Sequence, residues 1–447
     1  MIIKNGNVVT DKVTKQDIRL EGELIKEIGL SLEPFEGEEV IDATGCYVFP
    51  GFIDAHTHMQ MTNPIASTSD DYDSGTAAAV LGGTTGIINF CTGHPDMTLT
   101  ESYEEEMRRV GNRANCHYKF HMELVKVDDK ILEEMPKMKD LGIHSFKIYM
   151  AYGFRLSDKE IYRALQKAKE CNMLVESHCE TGDVLECIME DLVKEGKNIP
   201  QYQGVAHPAE AEAESVARLS YMAKLVDVPI HIVHLSTKLG LEEVRKARNI
   251  GVDITAESCP QYITLDDSVY KTEGIECAKY VYAPPARGKE DKAAILEGLL
   301  HGEIQTMATD HCSFSYEDKK KSKGDLTKIA GGIPGVEHRV PISYTELVVK
   351  NNMSEVDFVK LLAENPAKLY DIYPQKGVLQ EGSDGDIVIY DPEGSYEISA
   401  KTQNQKVDFT PYEGYITSGK VRDVLLQGKV VVKDGKLVNK YQGTYMK

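Results

Sequence analysis

The 447-residue sequence has no paired-cysteine spacing, no long apolar run and no surplus of basic charge. Its nine cysteines are scattered without one CxxC, and an odd count argues against a disulfide framework. Cys91, Cys171 and Cys187 fall within strand-like or helix-like stretches, where a small buried thiol is the ordinary reading. A reducing, cytoplasmic setting is therefore expected. No apolar run approaches the length that crosses a bilayer. The opening "MIIKNGNVVTDKVTKQDIRL" alternates polar and apolar residues with no basic start and apolar core, so no signal peptide is expected. A net charge of −20 disfavours nucleic acid and anionic membranes as partners. Neither GxGxxG opening a helix nor GxxxxGK followed by Ser or Thr occurs, which removes support for the nucleotide-binding folds.

What remains is ordinary globular material, 41% hydrophobic and 27% charged, long enough for one large α/β domain and a smaller one. Residues 1–49 read as short strands, with hairpin turns expected at Asn5-Gly6 and Glu21-Gly22-Glu23. The texture returns in residues 375–447, where "VLLQGKVVVKDG" echoes "IIKNGNVVTDK". Both chain ends are thus expected to build one small β-sandwich domain. Between them, residues 50–374 alternate strand-like and helix-like segments. Eight β-branched runs begin at Val48, Thr84, His117, Ile143, Met173, Pro229, Val252 and Ile304. Capped amphipathic stretches such as "SDKEIYRALQKAKECN" intervene. Eight strands alternating with helices favour an α/β fold of the (β/α)8 TIM-barrel type.

Chemistry in such a barrel gathers at the C-terminal strand ends. There stand His56 and His58 on the first strand, Lys147 on the fourth, His178 on the fifth, His234 on the sixth and Asp310 on the eighth. Each alone has a bland reading as a cap or a satisfied hydrogen-bonding group; together they converge on one rim. His56 and His58, two apart, share one strand face and can grip one metal ion. His231 and His234, three apart, should face opposite ways, so His231 is expected to pack toward the helices, and His311 to point away from the site. A strand lysine is ordinarily salt-bridged or snorkelling. A site of four imidazoles and one carboxylate is nevertheless short of negative charge for two cations. Lys147 converted by carbon dioxide to a carbamate would supply an anionic bridge.

The stretches "PGFIDAHTH", "GGTTGIINF", "SFKIYMAY", "ESHCE", "HIVHLST", "AESCPQY", "ATDHCSF" and "IPGVE" together resemble the amidohydrolase superfamily, most closely its dihydropyrimidinase/hydantoinase cyclic amidohydrolases. The resemblance spans the whole chain, in order. It implies two divalent metal ions, zinc typically, bridged by N6-carboxylated Lys147. By position, His56, His58 and Asp310 would hold one ion and His178 and His234 the other. Asp310 would act as general base and then acid, and Tyr152 would donate to the developing oxyanion. Main-chain atoms around Ala283, Gly331 and Gly332 would read the ring amide. Here the chain departs from the hydantoinase pattern, which has a serine at Ala283 and Pro-Asn-Gly at Ala330-Gly331-Gly332. The resemblance also implies a homo-oligomer, tetramer or dimer. Dihydroorotases, and usually allantoinases, carry an arginine shortly after the His-x-His to pair with a substrate carboxylate or ureide; here Met59, Gln60 and Met61 follow. The expected reaction is therefore opening of a neutral cyclic ureide or imide to an N-carbamoyl amino acid or half-amide. An allantoinase-like ureide hydrolase and a non-catalytic scaffold are the alternatives.

Overall fold

Alternating polar and apolar residues suit strands with one wet face, whereas continuous apolar runs suit parallel strands buried on both sides. Both kinds occur in the computed structural model, which describes residues 1–447. The first kind opens the chain: β1 (Ile2–Val9), β2 (Val13–Glu21), β3 (Leu24–Gly29), β4 (Val40–Asp42) and β5 (Tyr47–Pro50). The second kind follows: β6 (Phe52–Thr57), β7 (Thr84–Cys91), β8 (His117–Glu123), β9 (Ser145–Tyr149), β10 (Leu174–His178), β11 (Ile230–Ile232), β12 (Ile254–Ser258) and β13 (Thr306–Met307). The chain then returns to the first sheet with β14 (Ile387–Asp391), β15 (Lys420–Leu426), β16 (Lys429–Lys433) and β17 (Lys436–Leu437).

The terminal strands form one nine-stranded, mostly antiparallel sheet in the order β17-β16-β15-β14-β5-β1-β2-β3, with β4 beside β1. Twelve buried apolar residues from both chain ends, among them Ile3, Val48, Ile389 and Leu425, form its own core. Glu21-Gly22-Glu23 does turn the chain between β2 and β3. Asn5-Gly6 does not: β1 runs through it, and its register against β2 shifts between Ile3 and Gly6. Asn5 has a φ of 65°, so the left-handed residue a turn would use makes a bulge instead.

The parallel strands form an eight-stranded sheet in sequential order, β13 to β6, as a TIM barrel requires. The run from Val48 to His56 is two strands, because Gly51 separates β5 in the terminal sheet from β6 in the barrel. A Cβ on Gly51 would lie 2.0 Å from the Thr85 hydroxyl, so only glycine lets the chain pass there. The seam between first and last barrel strands is narrow, since β13 has two residues. Side chains complete it. Asp54 accepts from the Thr309 amide at 3.0 Å and its hydroxyl at 2.7 Å. The buried Arg339 guanidinium donates to the carbonyls of Ile53 and Met307, both at 2.9 Å. Thr57, the last residue of β6, pairs with His311 beyond the end of β13.

Helices cover the barrel's outer face, and their boundaries follow local chemistry. The helix Asp158–Cys171 starts at a capping box in which the Ser157 side chain and Glu160 satisfy each other's backbone amides. It stops at Asn172, whose left-handed conformation closes the last turn. Such helices hold the strand ends, and hence the polar residues there, at fixed positions.

Candidate metal centre at the barrel mouth

His56 is the penultimate residue of β6, and its imidazole is buried at the mouth. Its Nε2 lies 3.3 Å from Asp310 Oδ1, and His58 Nε2 lies 3.2 Å from the same oxygen. The donor atoms of His56, His58 and Asp310 fall within 4.8 Å of one another. Across the mouth, His178 Nδ1 and His234 Nε2 approach to 3.1 Å. The two groups are continuous: ring centroids run His58–His56 at 5.4 Å, His56–His234 at 5.3 Å and His234–His178 at 4.8 Å. The convergence anticipated from the strand ends is thus present for five of the six residues by direct contact.

Lys147, on β9, is the sixth. Its side chain is buried and its Nζ sits 4.8 Å from the Phe90 ring centre and 5.2 Å from that of Tyr149. No carboxylate lies within ion-pair reach of it. Burial drives its pKa down, against the pull of Glu176 and Asp310. A desolvated, unpaired lysine beside histidines is far from the salt-bridged reading.

Electrostatics suit the donor set to a cation. Burial lowers the pKa values of His58, His178 and His234, so those imidazoles are neutral donors. Burial and Lys147 also act to lower His56, but Glu257 and Asp310 outweigh them and lift it to about 9. Burial pushes the Asp310 carboxyl up, yet His56 and His58 hold it well below the usual carboxylate range. Neutral nitrogens and an ionised carboxylate are the ligand types zinc prefers. His58, His178, His234 and Asp310 meet that description, and a cation at His56 Nε2 would take the place of the proton that Glu257 and Asp310 retain there. Two carboxylates orient the imidazoles from behind. Glu257 Oε1 meets His56 Nδ1 at 2.8 Å and accepts from the His234 amide at 3.3 Å. Glu180 Oε2 meets His178 Nε2 at 2.8 Å. A ligating histidine anchored through its other nitrogen is the usual arrangement around a metal. The residues present therefore fit divalent cations.

Backbone strain marks the same places. His234, Asp310 and Tyr152 have φ values of 40°, 53° and 74°, a region costly for residues with a Cβ. His234 explains a misplaced neighbour. His231 does not pack toward the helices: its Nδ1 meets the Thr255 hydroxyl at 2.7 Å and its Nε2 lies 3.9 Å from Glu257 Oε2, inside the barrel. It pairs in register with Glu176, another inward residue. The alternation argument failed because β11 ends at Ile232 and the turn at His234 brings that residue inward as well. His311 does point away, its Nε2 lying 3.3 Å from Asp70.

At the rim, the Tyr152 ring lies 4.8 Å from that of His178. The segments around Ala283 and Gly331-Gly332 meet through a hydrogen bond from the Gly332 amide to the Val281 carbonyl at 3.0 Å. Gly332 has a φ of 146°, and a Cβ there would sit 2.7 Å from that of Cys312, two residues past Asp310. Glycine is required there. The segment after His58 presents no cation to the mouth: Met59 is buried, Gln60 accepts from Arg113 at 3.1 Å, and Met61 packs on Cys312, Phe314 and Ala330. Glu257 and Glu180 are the partners that strand-end inspection left out. Glu257 closes the seventh β-branched run and Glu180 follows His178 by two, so the same inspection had both within reach.

Comparison with known proteins agrees with this geometry. A family model described as "Amidohydrolase family" matches residues 47–438. The D-hydantoinase of Geobacillus stearothermophilus is 39% identical over 100% of this chain and 96% of its own length. That of Ralstonia pickettii is 37% identical over 98% and 96% respectively. Among solved structures, the dihydropyrimidinase from Brevibacillus agri superposes with a TM-score of 0.97 at 36% identity, covering 99% of this chain and 97% of that one. The L-hydantoinase from Arthrobacter aurescens gives 0.91 at 27%, covering 100% and 99%. With its barrel, its histidine–aspartate cluster and these relatives, the chain belongs to the amidohydrolase family.

Proposed function

We propose that this protein is a cyclic amidohydrolase that opens the amide bond of a neutral ring of hydantoin or dihydropyrimidine type, giving an N-carbamoyl amino acid. The observation that carries the reading is the convergence of His56, His58 and Asp310 with the His178–His234 pair on one barrel mouth, in a chain so similar to hydantoinases throughout its length. Divalent cations bound there, zinc in our reading, supply Lewis acidity toward the ring carbonyl and a nucleophilic water at neutral pH. His56, His58 and Asp310 would hold one ion, and His178 and His234 the other. Lys147, as a carbamate, would supply the anionic oxygens that the imidazoles lack. Its neutral amine attacks carbon dioxide, an N–C bond forms, and the displaced N–H proton leaves to solvent. The buried, unpaired Nζ supports that assignment.

Asp310 is kept ionised by His56 and His58, so it is poised to take a proton from the attacking water. It then returns that proton to the departing ring nitrogen. Tyr152, at the rim beside His178, donates its hydroxyl proton in a hydrogen bond to the oxyanion formed at the carbonyl. Main-chain groups at Ala283, Gly331 and Gly332 read the ring amide, a mode of recognition compatible with the side-chain departures there from the hydantoinase pattern. The absence of a cation at Met59–Met61 selects a neutral ring. In the same reading, residues 1–49 and 375–447 build one domain around a catalytic unit spanning 50–374. The enzyme works in the cytoplasm as a homo-oligomer.

The test is a substrate panel of hydantoin, phenylhydantoin, dihydrouracil, succinimide, allantoin and dihydroorotate, with product followed by chromatography. Turnover of the neutral hydantoins or dihydrouracil is expected. Turnover of dihydroorotate alone refutes the neutral-ring reading.

A further inference from the structure

On the side of His178 away from His234 lies a buried acid, Glu180, with no exposed surface. Its Oε2 meets His178 Nε2 at 2.8 Å, and its Oε1 meets His207 Nδ1 at 2.9 Å. Arg287, also buried, brings Nη2 to 3.9 Å from the same Oε1. That Nη2 has no hydrogen-bond partner of its own. The rest of the guanidinium is tied down: Nε donates to the Ser236 hydroxyl at 3.0 Å, and Nη1 donates to the His207 carbonyl. Three separate parts of the chain thus close on one carboxylate: the end of β10, the turn before the helix Ala209–Val226, and the stretch that follows Ala283.

A carboxylate taken out of water is costly unless partners surround it, so this arrangement needs a reason. An ionised carboxylate only accepts hydrogen bonds. His178 must therefore carry its proton on Nε2, and its Nδ1 is left with a bare lone pair. That lone pair points at the gap where His234 Nε2 stands 3.1 Å away. We propose that Glu180 is a positioning residue that sets the tautomer and ring orientation of His178, with His207 and Arg287 bracing the acid from behind. The network makes one cation subsite dependent on Glu180 and gives His207 a role: it holds Glu180, not substrate. Arg287 adds a mechanical link, because it lies four residues past Ala283 and ties the ring-reading stretch to the same acid. The inference rests on His178 and His234 forming a ligand pair.

The experiment compares the full-length protein with Glu180→Gln, His207→Ala, His207→Gln and His178→Ala variants, each loaded with Zn2+. Zinc per chain is measured by atomic emission, and zinc loss to a chromogenic chelator is timed. The Glu180→Gln amide can rotate to donate to His178 and permit the wrong tautomer. That variant should hold its second zinc about 10–100-fold less tightly, the usual loss for removing such an outer partner. His207→Ala should shorten retention in the same direction, and His207→Gln, which keeps an N–H for Glu180, should restore it. A stability role alone would not produce that rescue. Circular dichroism melts of the zinc-free variants check folding, and should Glu180→Gln fail to fold, the His207 pair still decides. Wild-type zinc retention in Glu180→Gln and in His207→Ala, with loss in His178→Ala, overturns the role given to Glu180 alone. Wild-type retention in His178→Ala overturns the ligand pair itself, and this inference with it.

Discussion

Lys319 offers the sharpest test of how the rim is held. It is fully buried, and its Nζ donates to the Val281 carbonyl at 3.0 Å and the Ala330 carbonyl at 2.7 Å. Those carbonyls belong to the two segments assigned to reading the ring. No carboxylate pairs with it; Cys312 and the Phe409 ring, 6.0 Å away, are its other neighbours. Burial pushes its pKa down to about 7 from an ordinary value of 10.5. Between those two pH values the unfolded chain binds the extra proton, so stability rises with pH across that window and levels off above 10.5. Each pH unit there is worth about 1.4 kcal/mol, so the interval from pH 7 to 9.5 contributes at most about 3 kcal/mol. The substitution Lys319→Met keeps the volume but removes both the titration and the two donors. The Ala330 carbonyl then loses its donor, at about 1–3 kcal/mol, while the Val281 carbonyl keeps the Gly332 amide; below pH 7 the variant also escapes the desolvation of a buried ammonium. The wild-type protein should accordingly gain on the variant as pH climbs. Urea unfolding of both zinc-free proteins at pH 6.5, 8 and 9.5 measures this directly, because every other titrating group cancels in the difference. A difference that stays flat, or shrinks with rising pH, refutes the reasoning.

Glu106 should behave in the opposite sense: burial lifts its carboxyl to about 7 amid Tyr72, Asn89 and Arg109, so wild-type stability relative to Glu106→Gln should fall by about 2–3 kcal/mol from pH 5 to 8, read by the same unfolding series. Asp310→Asn should lower kcat by about 10²–10⁴-fold, the range for losing a general acid–base group, with product formation as the assay. The Tyr152 hydroxyl makes no hydrogen bond within the protein, so Tyr152→Phe should leave the melting temperature alone while reducing kcat by about 10²–10³-fold. Lys147→Ala should lose zinc and activity together, with partial recovery on adding short carboxylic acids; full activity without them would remove the carbamate from the mechanism.

The strand-end histidines were readable because the evidence for them is local. A period of two puts His56 and His58 on one face, and a barrel's chemistry sits at the C-terminal end of each strand. The same locality explains the failures. Asn5-Gly6 reads as a turn, since a left-handed residue serves a turn and a bulge equally, and only the pairing of β1 with β2 decides between them. His231 was sent outward by a periodicity that no longer applied once β11 had ended at Ile232. Glu257 supports His56 from 201 residues away, a partnership that no spacing rule encodes. Pairings closed by the fold are legible only in three dimensions.

The strained residues explain why the site stands where the sheet is weakest. A regular strand would alternate its side chains in and out and could present no more than every second residue to the axis. Here β11 has three residues and β13 two, so the backbone is free to turn immediately beyond them. The turns at His234 and Asp310 use conformations that cost about 1–3 kcal/mol each. Fixed groups offset that cost: Glu257 accepts from the His234 amide, while Asp54 grips Thr309, the residue before Asp310. Shortened strands let the donors converge, and buried carboxylates keep the seam closed where the ladder has stopped. Placing the cation donors and stabilising the barrel are consequently one structural problem at this rim, with Asp54 and Glu257 serving both ends of it.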